Sequence, residues 1–174
     1  MNEIIVRFFS DLITAHSSLA PVTIFFADYL GWLILGFYLL VLVWRPKGKV
    51  SEEFFLVLLA TLTAWVAAEA IKHFYLSARP FVSLSDFTPL LRHGANDSFP
   101  STHATVFFAF AFAVYGYRKL LGNLFIAAAA LISLARIAAG LHWPSDVICG
   151  FILAGIIAMV WHQVFNRYLF SRPN

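Results

Sequence analysis

FFLVLLATLTAWVAAEAIKHFYL, residues 54–76, is the stretch that decides the fold. From Phe54 to Ala68 it carries no charge. A helix needs roughly 20 apolar residues to cross a bilayer, so this run predicts a membrane span over about 53–76. Its last two turns then introduce Glu69, Lys72 and His73. A cation at a span end either snorkels to the interface or lines a functional cavity. The rest of the chain decides between these.

Outward from this span the same alternation of apolar run and polar break recurs. Further spans are expected at about 22–44, 101–117, 120–140 and 144–167, with Asp28 near the start of the first and the third at the short end. Before them, Ile4, Ile5, Phe8, Phe9, Leu12 and Ile13 recur at helical spacing opposite Glu3, Arg7 and Asp11. That pattern predicts an amphipathic helix lying in the interface. The start reads as lacking a cleavable leader, because no basic segment precedes the apolar run. The expected fold is all-α, a polytopic helix bundle of about five transmembrane helices plus the interfacial helix, forming one domain over 1–174.

Composition agrees. The 174 residues are 61% hydrophobic and 12% charged, and the mean hydropathy is +0.81. A soluble domain carries about a quarter charged residues. With a net charge of only +3, no nucleic-acid partner is expected; membrane lipids are. The single Cys149 excludes an internal disulfide and a cysteine-rich metal site, and reads as a small packing residue.

Parity locates the chemistry. With five spans, the end of the second, the start of the third and the turn between the fourth and fifth share one membrane face. Those places hold Lys72, Arg79, Ser101, His103, Arg136, His142 and Asp146. The other side carries Arg45, Lys47, Lys49, Arg118, Lys119, Arg167 and Arg172. The positive-inside rule puts that basic side in the cytoplasm and the polar cluster at the exterior or periplasm.

Lys72, Arg79 and Arg136 together suit an anion with several oxygens, of which phosphate is the plainest. Pro100 is expected in the first turn of the third span, with Asp97 and Ser98 as possible caps and the N–H groups of Ser101, Thr102 and His103 free for an anion. His103 is then a candidate general acid. In R136-IAAGL-H142-WPS-D146, Asp146 is placed to hold one imidazole nitrogen of His142 and leave the other free to attack phosphorus. Glu69 is expected to pair with Lys72 or His73 in a structural role. Arg92 and His93 either meet a second phosphate or are solvated. Carboxylates are sparse and metal-ligand spacing is missing, so no metal and no cofactor are expected.

Lys72-x6-Arg79-Pro80, Pro100-Ser101-Thr102-His103 and Arg136-x5-His142-x3-Asp146 resemble, in order and spacing, the three signature motifs of the type 2 phosphatidic acid phosphatase superfamily. The resemblance covers about residues 65–160. It implies a metal-independent membrane phosphatase with His142 as nucleophile, Asp146 as its partner and His103 as proton donor. Lys72, Arg79, Ser101, the Thr102 backbone and Arg136 would hold the phosphoryl oxygens. Two positions depart from the pattern: Thr102 stands where Gly is usual, and Ala135 where Ser usually precedes the arginine. The stretch RPFV…LLRHGANDSFPSTH is most similar to bacterial undecaprenyl pyrophosphate phosphatases of the bacitracin-resistance type. It implies a polyprenyl diphosphate or another lipid phosphate as substrate, at the bacterial inner membrane. An anion or lipid transporter is the rival of a different class; the short chain, the missing repeat and a cluster at one face argue against it.

Overall fold

A computed structural model describes residues 1–44, 50–95 and 97–169. Arg45, Lys47, Lys49 and Arg172 of the expected basic side lie outside them. The described residues are helical with no strand among them.

Helix α1 (Asn2–Ala15) is too short to span, at about 21 Å for its 14 residues. It buries Val6 and Ile13 against the bundle while Ile4 and Phe8 stay exposed. One apolar stripe is thus a packing face and the neighbouring one is left for lipid. Arg7 fastens the helix through Glu3 (2.8 Å) and through a two-pronged contact to Asp86 (2.9 and 3.0 Å). These hydrogen bonds raise the Arg7 pKa and lower that of Asp86.

The first span runs continuously from Leu19 to Val43, three residues earlier than its sequence suggests. Pro21 is tolerated because first-turn N–H groups have no helical partner. Between α2 (Leu19–Ile24) and α3 (Leu30–Val43) the helix widens into a π turn at Phe25–Tyr29. The second span is α4 (Val50–Phe74), followed by a single turn, α5 (Pro80–Ser83). Three further helices complete the bundle: α6 (Thr102–Tyr117), α7 (Lys119–Ala138) and α8 (Pro144–Val164).

Among the described residues, four helices are long and apolar enough to cross a membrane. The fifth, α6, has 16 residues, about 24 Å. It is short because it is the core. It packs on α4, α7 and α8, and Ala104, Ala109, Ala111 and Ala113 on it are fully buried. Small residues let helices approach closely where no hydrophobic drive separates core from lipid. Gly150 lets α8 lie close on α6: a Cβ there would lie 2.9 Å from Thr105 Oγ1 and 3.0 Å from Ala104 Cβ. Outward, Trp32, Phe37, Leu40, Trp65, Val66 and Met159 are exposed. On a soluble protein such a surface would aggregate; here it faces acyl chains, and the chain is a multi-pass membrane protein.

The end opposite the polar cluster is closed by a buried carboxylate. Glu53 accepts from Arg118 Nη2 (2.9 Å) and Nε (3.1 Å) and from Tyr38 (3.4 Å), joining α3, α4 and the α6–α7 corner.

Candidate active site

Arg79 sits just before Pro80, and a residue preceding proline is held extended; its ψ is 158°. That turn sends the side chain inward, where it is buried. Its Nη1 donates to Leu141 O (2.7 Å) and Nη2 to Asp97 O (3.3 Å). Burial lowers its pKa, while Asp146 and Asp97 oppose that shift. A guanidinium anchored on carbonyls has fixed direction and keeps its charge.

The α7–α8 corner is made by Gly140, whose φ is +74°. Gly140 N–H donates to Ile137 O (2.9 Å) and Leu141 N–H to Arg136 O (3.0 Å), the two bonds of a Schellman ending. Phe87 fills the space beside it; a Cβ on Gly140 would lie 2.1 Å from that ring. The reversal delivers His142 into the bundle directly after the buried Arg136. No motif marks Gly140 as part of the site, although a glycine between a helix and a histidine signals such a turn.

His142 Nδ1 lies 3.0 Å from Ser98 O and 3.6 Å from Asp146 Oδ2. A carbonyl only accepts, so Nδ1 carries the proton and Nε2 keeps its lone pair. Nε2 accepts a long hydrogen bond from Arg79 Nη1 (3.4 Å), so an oxyanion taken up by Arg79 would lie beside that nitrogen. Burial, together with the charges of Arg79 and Arg136, lowers the His142 pKa despite the opposing pull of Asp146. The imidazole is therefore neutral at neutral pH.

Asp146 has two duties. At the third position of α8 it accepts the Trp143 N–H (2.8 Å), the acidic half of a capping box. The same oxygen accepts a short hydrogen bond from Ser98 Oγ. Ser98 is thus a buried linker, holding His142 through its carbonyl and Asp146 through its hydroxyl. Its expected role as a helix cap is not what the structure uses. Asp97 likewise caps no helix: it accepts from Ser77 N–H (3.2 Å).

The start of α6 corrects a further expectation. Pro100 precedes the cap, and Ser101 is the N-cap, accepting from Ala104 N–H at 3.5 Å. Ser101 N–H is not free, since it donates to Asp146 O (3.1 Å). That bond ties the starts of α6 and α8 together. The N–H groups of Thr102 and His103 remain at the open first turn. Thr102 Oγ1 bridges α4 and α6: it donates to Glu69 Oε1 (2.8 Å) and accepts a short hydrogen bond from Lys72 Nζ. Lys72 also contacts Glu69 Oε1 at 3.1 Å, the i, i+3 pairing expected from spacing.

Arg136 Nη1 reaches Asp28 Oδ1 (3.2 Å) and Ala27 O (3.5 Å) on the π turn. Its Nε is buried with no partner among the described residues, an unspent donor. Beside it opens a cavity of about 400 Å³ lined by Asp28, Tyr29, Trp32, Leu91, Arg92, His93, His103 and Arg136. Arg92 and His93 thus belong to the mouth. Burial and the nearby charges of Arg79 and Arg136 lower the His93 pKa. His103 stacks near Phe107 (ring centroids 6.1 Å apart) and faces this cavity. Asp28 is the member that the sequence marked only as lying near the start of the first span.

The three segments brought together by parity therefore do meet, through direct contacts from Lys72 to Thr102, Arg79 to His142, and Ser101 to Asp146. The arrangement offers converging cations, an unprotonated imidazole nitrogen against Arg79 and a second imidazole at the cavity.

The chain is similar to several known proteins. The chain is 30% identical over 177 residues to the bacitracin transport permease protein BcrC of Bacillus licheniformis, covering 93% of this chain and 84% of that protein. It is 29% identical over 168 residues to the undecaprenyl-diphosphatase BcrC of Bacillus subtilis, covering 94% and 83%. The crystal structure of Aquifex aeolicus LpxE has the same fold, with a TM-score of 0.77 at 24% identity over 93% of this chain and 94% of that one. A family model described as PAP2 superfamily matches residues 53–169, a range that runs from before Lys72 to beyond Asp146, and the chain belongs to that superfamily.

Proposed function

We propose that this protein is a membrane phosphatase that converts undecaprenyl or a related polyprenyl diphosphate to the monophosphate and free phosphate. The observation that carries the reading is the His142 environment: Nδ1 is committed to Ser98 O at 3.0 Å while Nε2 faces Arg79. In the first step Nε2 attacks the terminal phosphorus. The bond from phosphorus to the bridging oxygen breaks, and His103 gives its proton to that leaving oxygen. The products are phosphohistidine and the lipid monophosphate. In the second step water attacks the same phosphorus, His103 takes a proton from it, and the P–N bond breaks to restore His142. Lys72, Arg79, Ser101, the Thr102 backbone and Arg136 hold the phosphoryl oxygens, and Asp146 balances the charge that develops on His142.

The basic residues Arg118, Lys119 and Arg167, with Arg45, Lys47, Lys49 and Arg172, support a cytoplasmic placement of the end opposite the site. The site then faces the exterior of a bacterial inner membrane. The Bacillus licheniformis relative is named a transport permease, so anion or lipid transport is the reading of another class. Other lipid phosphates, such as phosphatidylglycerol phosphate, phosphatidic acid or a lipid A phosphate, are the alternatives within the same chemistry.

The test is phosphate release by the purified protein in detergent from a panel of phosphorylated lipids, with and without chelator. Fastest turnover of the polyprenyl diphosphate, unchanged by chelator, is expected. Faster turnover of another lipid reassigns the substrate, loss with chelator refutes the histidine mechanism, and no turnover by folded protein favours transport.

A further inference from the structure

The phosphate cations are held in two different ways. Arg79 leans on main-chain carbonyls, which stay in place whatever enters the pocket. Lys72 and Arg136 also contact side-chain carboxylates, Glu69 Oε1 at 3.1 Å and Asp28 Oδ1 at 3.2 Å, the latter beside a longer contact to Ala27 O. Neither carboxylate belongs to the motifs that carry the site. Each comes from the flank, Glu69 one turn before Lys72 and Asp28 from the π turn of the first span. Single π turns inside α-helices are frequently functional, and this one brings an acid against a buried arginine.

Exposure separates the partners. The side chains of Lys72 and Arg136 are 11% and 3% exposed, those of Glu69 and Asp28 46% and 43%. The cations are therefore fixed in the protein, while their carboxylates are half-exposed, Asp28 at the lining of the cavity. A carboxylate oxygen at this distance occupies the donor direction that a phosphoryl oxygen would use. Two anions cannot share it without repulsion. The half-exposed one can leave at low cost, because water solvates it on departure.

We infer that Asp28 and Glu69 are built-in competitors for the phosphate pocket, swinging aside when a phosphoryl group enters and returning when phosphate leaves. This rests on the lipid-phosphatase reading of the site. Without them, three cations would hold the free phosphate product too tightly, a uniform gain in binding that slows turnover. With them, a free phosphate is rejected more readily than a substrate whose lipid tail adds binding of its own. A purely structural role for the two acids predicts the opposite sign: removing them would release Lys72 and Arg136 from position and weaken phosphate binding.

The experiment uses full-length protein in detergent, with inorganic phosphate as the probe. Wild type, Asp28→Asn and Glu69→Gln are compared for phosphate affinity by calorimetry and by product inhibition, with kcat and KM measured separately. Each variant is expected to bind phosphate roughly fivefold more tightly, the scale of one partly exposed ion pair. KM falls with it, and kcat falls or stays level. Unchanged or weaker phosphate affinity in folded variants overturns the inference. If an amide variant does not fold, Asp28→Ser or Glu69→Ala replaces it with the same expected sign. Wild-type protein that neither binds phosphate nor turns over any lipid phosphate refutes the phosphatase reading itself. Wild-type turnover with unaltered affinity in the variants refutes only the competitor role.

Discussion

Replacing Asp146 by Asn removes one charge from a buried network and little else. The carboxylate oxygen Oδ2 lies 3.6 Å from His142 Nδ1. At an effective dielectric of ~20, a full positive charge on the imidazole at that distance gains about 4.6 kcal/mol. The transition state for phosphorus attack carries between about half that charge and all of it. At ~1.4 kcal/mol per decade, kcat is expected to fall by about 40- to 2,000-fold. Ground-state structure changes less. An Asn oxygen in the place of Oδ2 still accepts the Trp143 N–H now 2.8 Å away and the Ser98 hydroxyl. The Nδ1–H keeps Ser98 O as acceptor at 3.0 Å, so the tautomer survives. A stability loss of about 1 kcal/mol is expected. The assay pairs lipid-phosphate turnover with thermal unfolding in the same detergent. Turnover within threefold of wild type, in a variant that melts normally, would refute the charge-balancing role of Asp146.

Three other perturbations follow from the same contacts. Thr102→Val deletes the hydroxyl that links Lys72 to Glu69, and KM for the lipid phosphate should rise about tenfold, the cost of a hydrogen bond to a charged group; Thr102→Ser should restore it, and equal KM values in both variants would dismiss the bridge. Burial lowers the His142 pKa below the ordinary 6.5, so the acid limb of phosphoenzyme formation should lie below pH 6.5, and a limb above that value would contradict a buried neutral imidazole. The linked stability has a defined sign: between the folded and unfolded pKa values the unfolded chain binds more protons, so the contribution of His142 is complete above about pH 6.5 and is lost as pH falls. Glu53→Ala strands Arg118 at the far end of the bundle and should cost about 3 kcal/mol of stability, read as a lowered melting temperature; since Glu53 and Lys72 are about 28 Å apart along α4, KM should hold, and a changed KM would show coupling between the two ends.

The helices and their convergence were legible because lipid imposes a strict length and parity. Once five runs were counted, Lys72, His103, Arg136 and His142 had to share one end. The central position of α6 was less legible: a 16-residue helix reads as a marginal span, and only its fully buried alanines show that neighbours surround it. Local hydrogen bonding was read least well. Asp97, Ser98 and Pro100 all have the composition of a helix start, yet Ser101 caps α6 while Ser98 turns to Asp146 and Asp97 to Ser77. Several residues competed for one cap, and long-range partners decided among them. The Asp28–Arg136 contact spans 108 residues and depends on a π turn that no periodicity announces. Thr102, which departs from its motif, has side-chain partners on α4, contacts visible only in three dimensions.

The central claim is that phosphate passes through a covalent bond to His142. Rapid acid-free quenching of the purified protein during turnover of a polyprenyl diphosphate labelled in its terminal phosphate, followed by peptide mass spectrometry, measures this directly. The account predicts a base-stable, acid-labile phosphoryl group on His142 that forms in the presence of chelator and is missing in His142→Ala. Steady turnover without any phosphoenzyme, or label on a different residue, would contradict it.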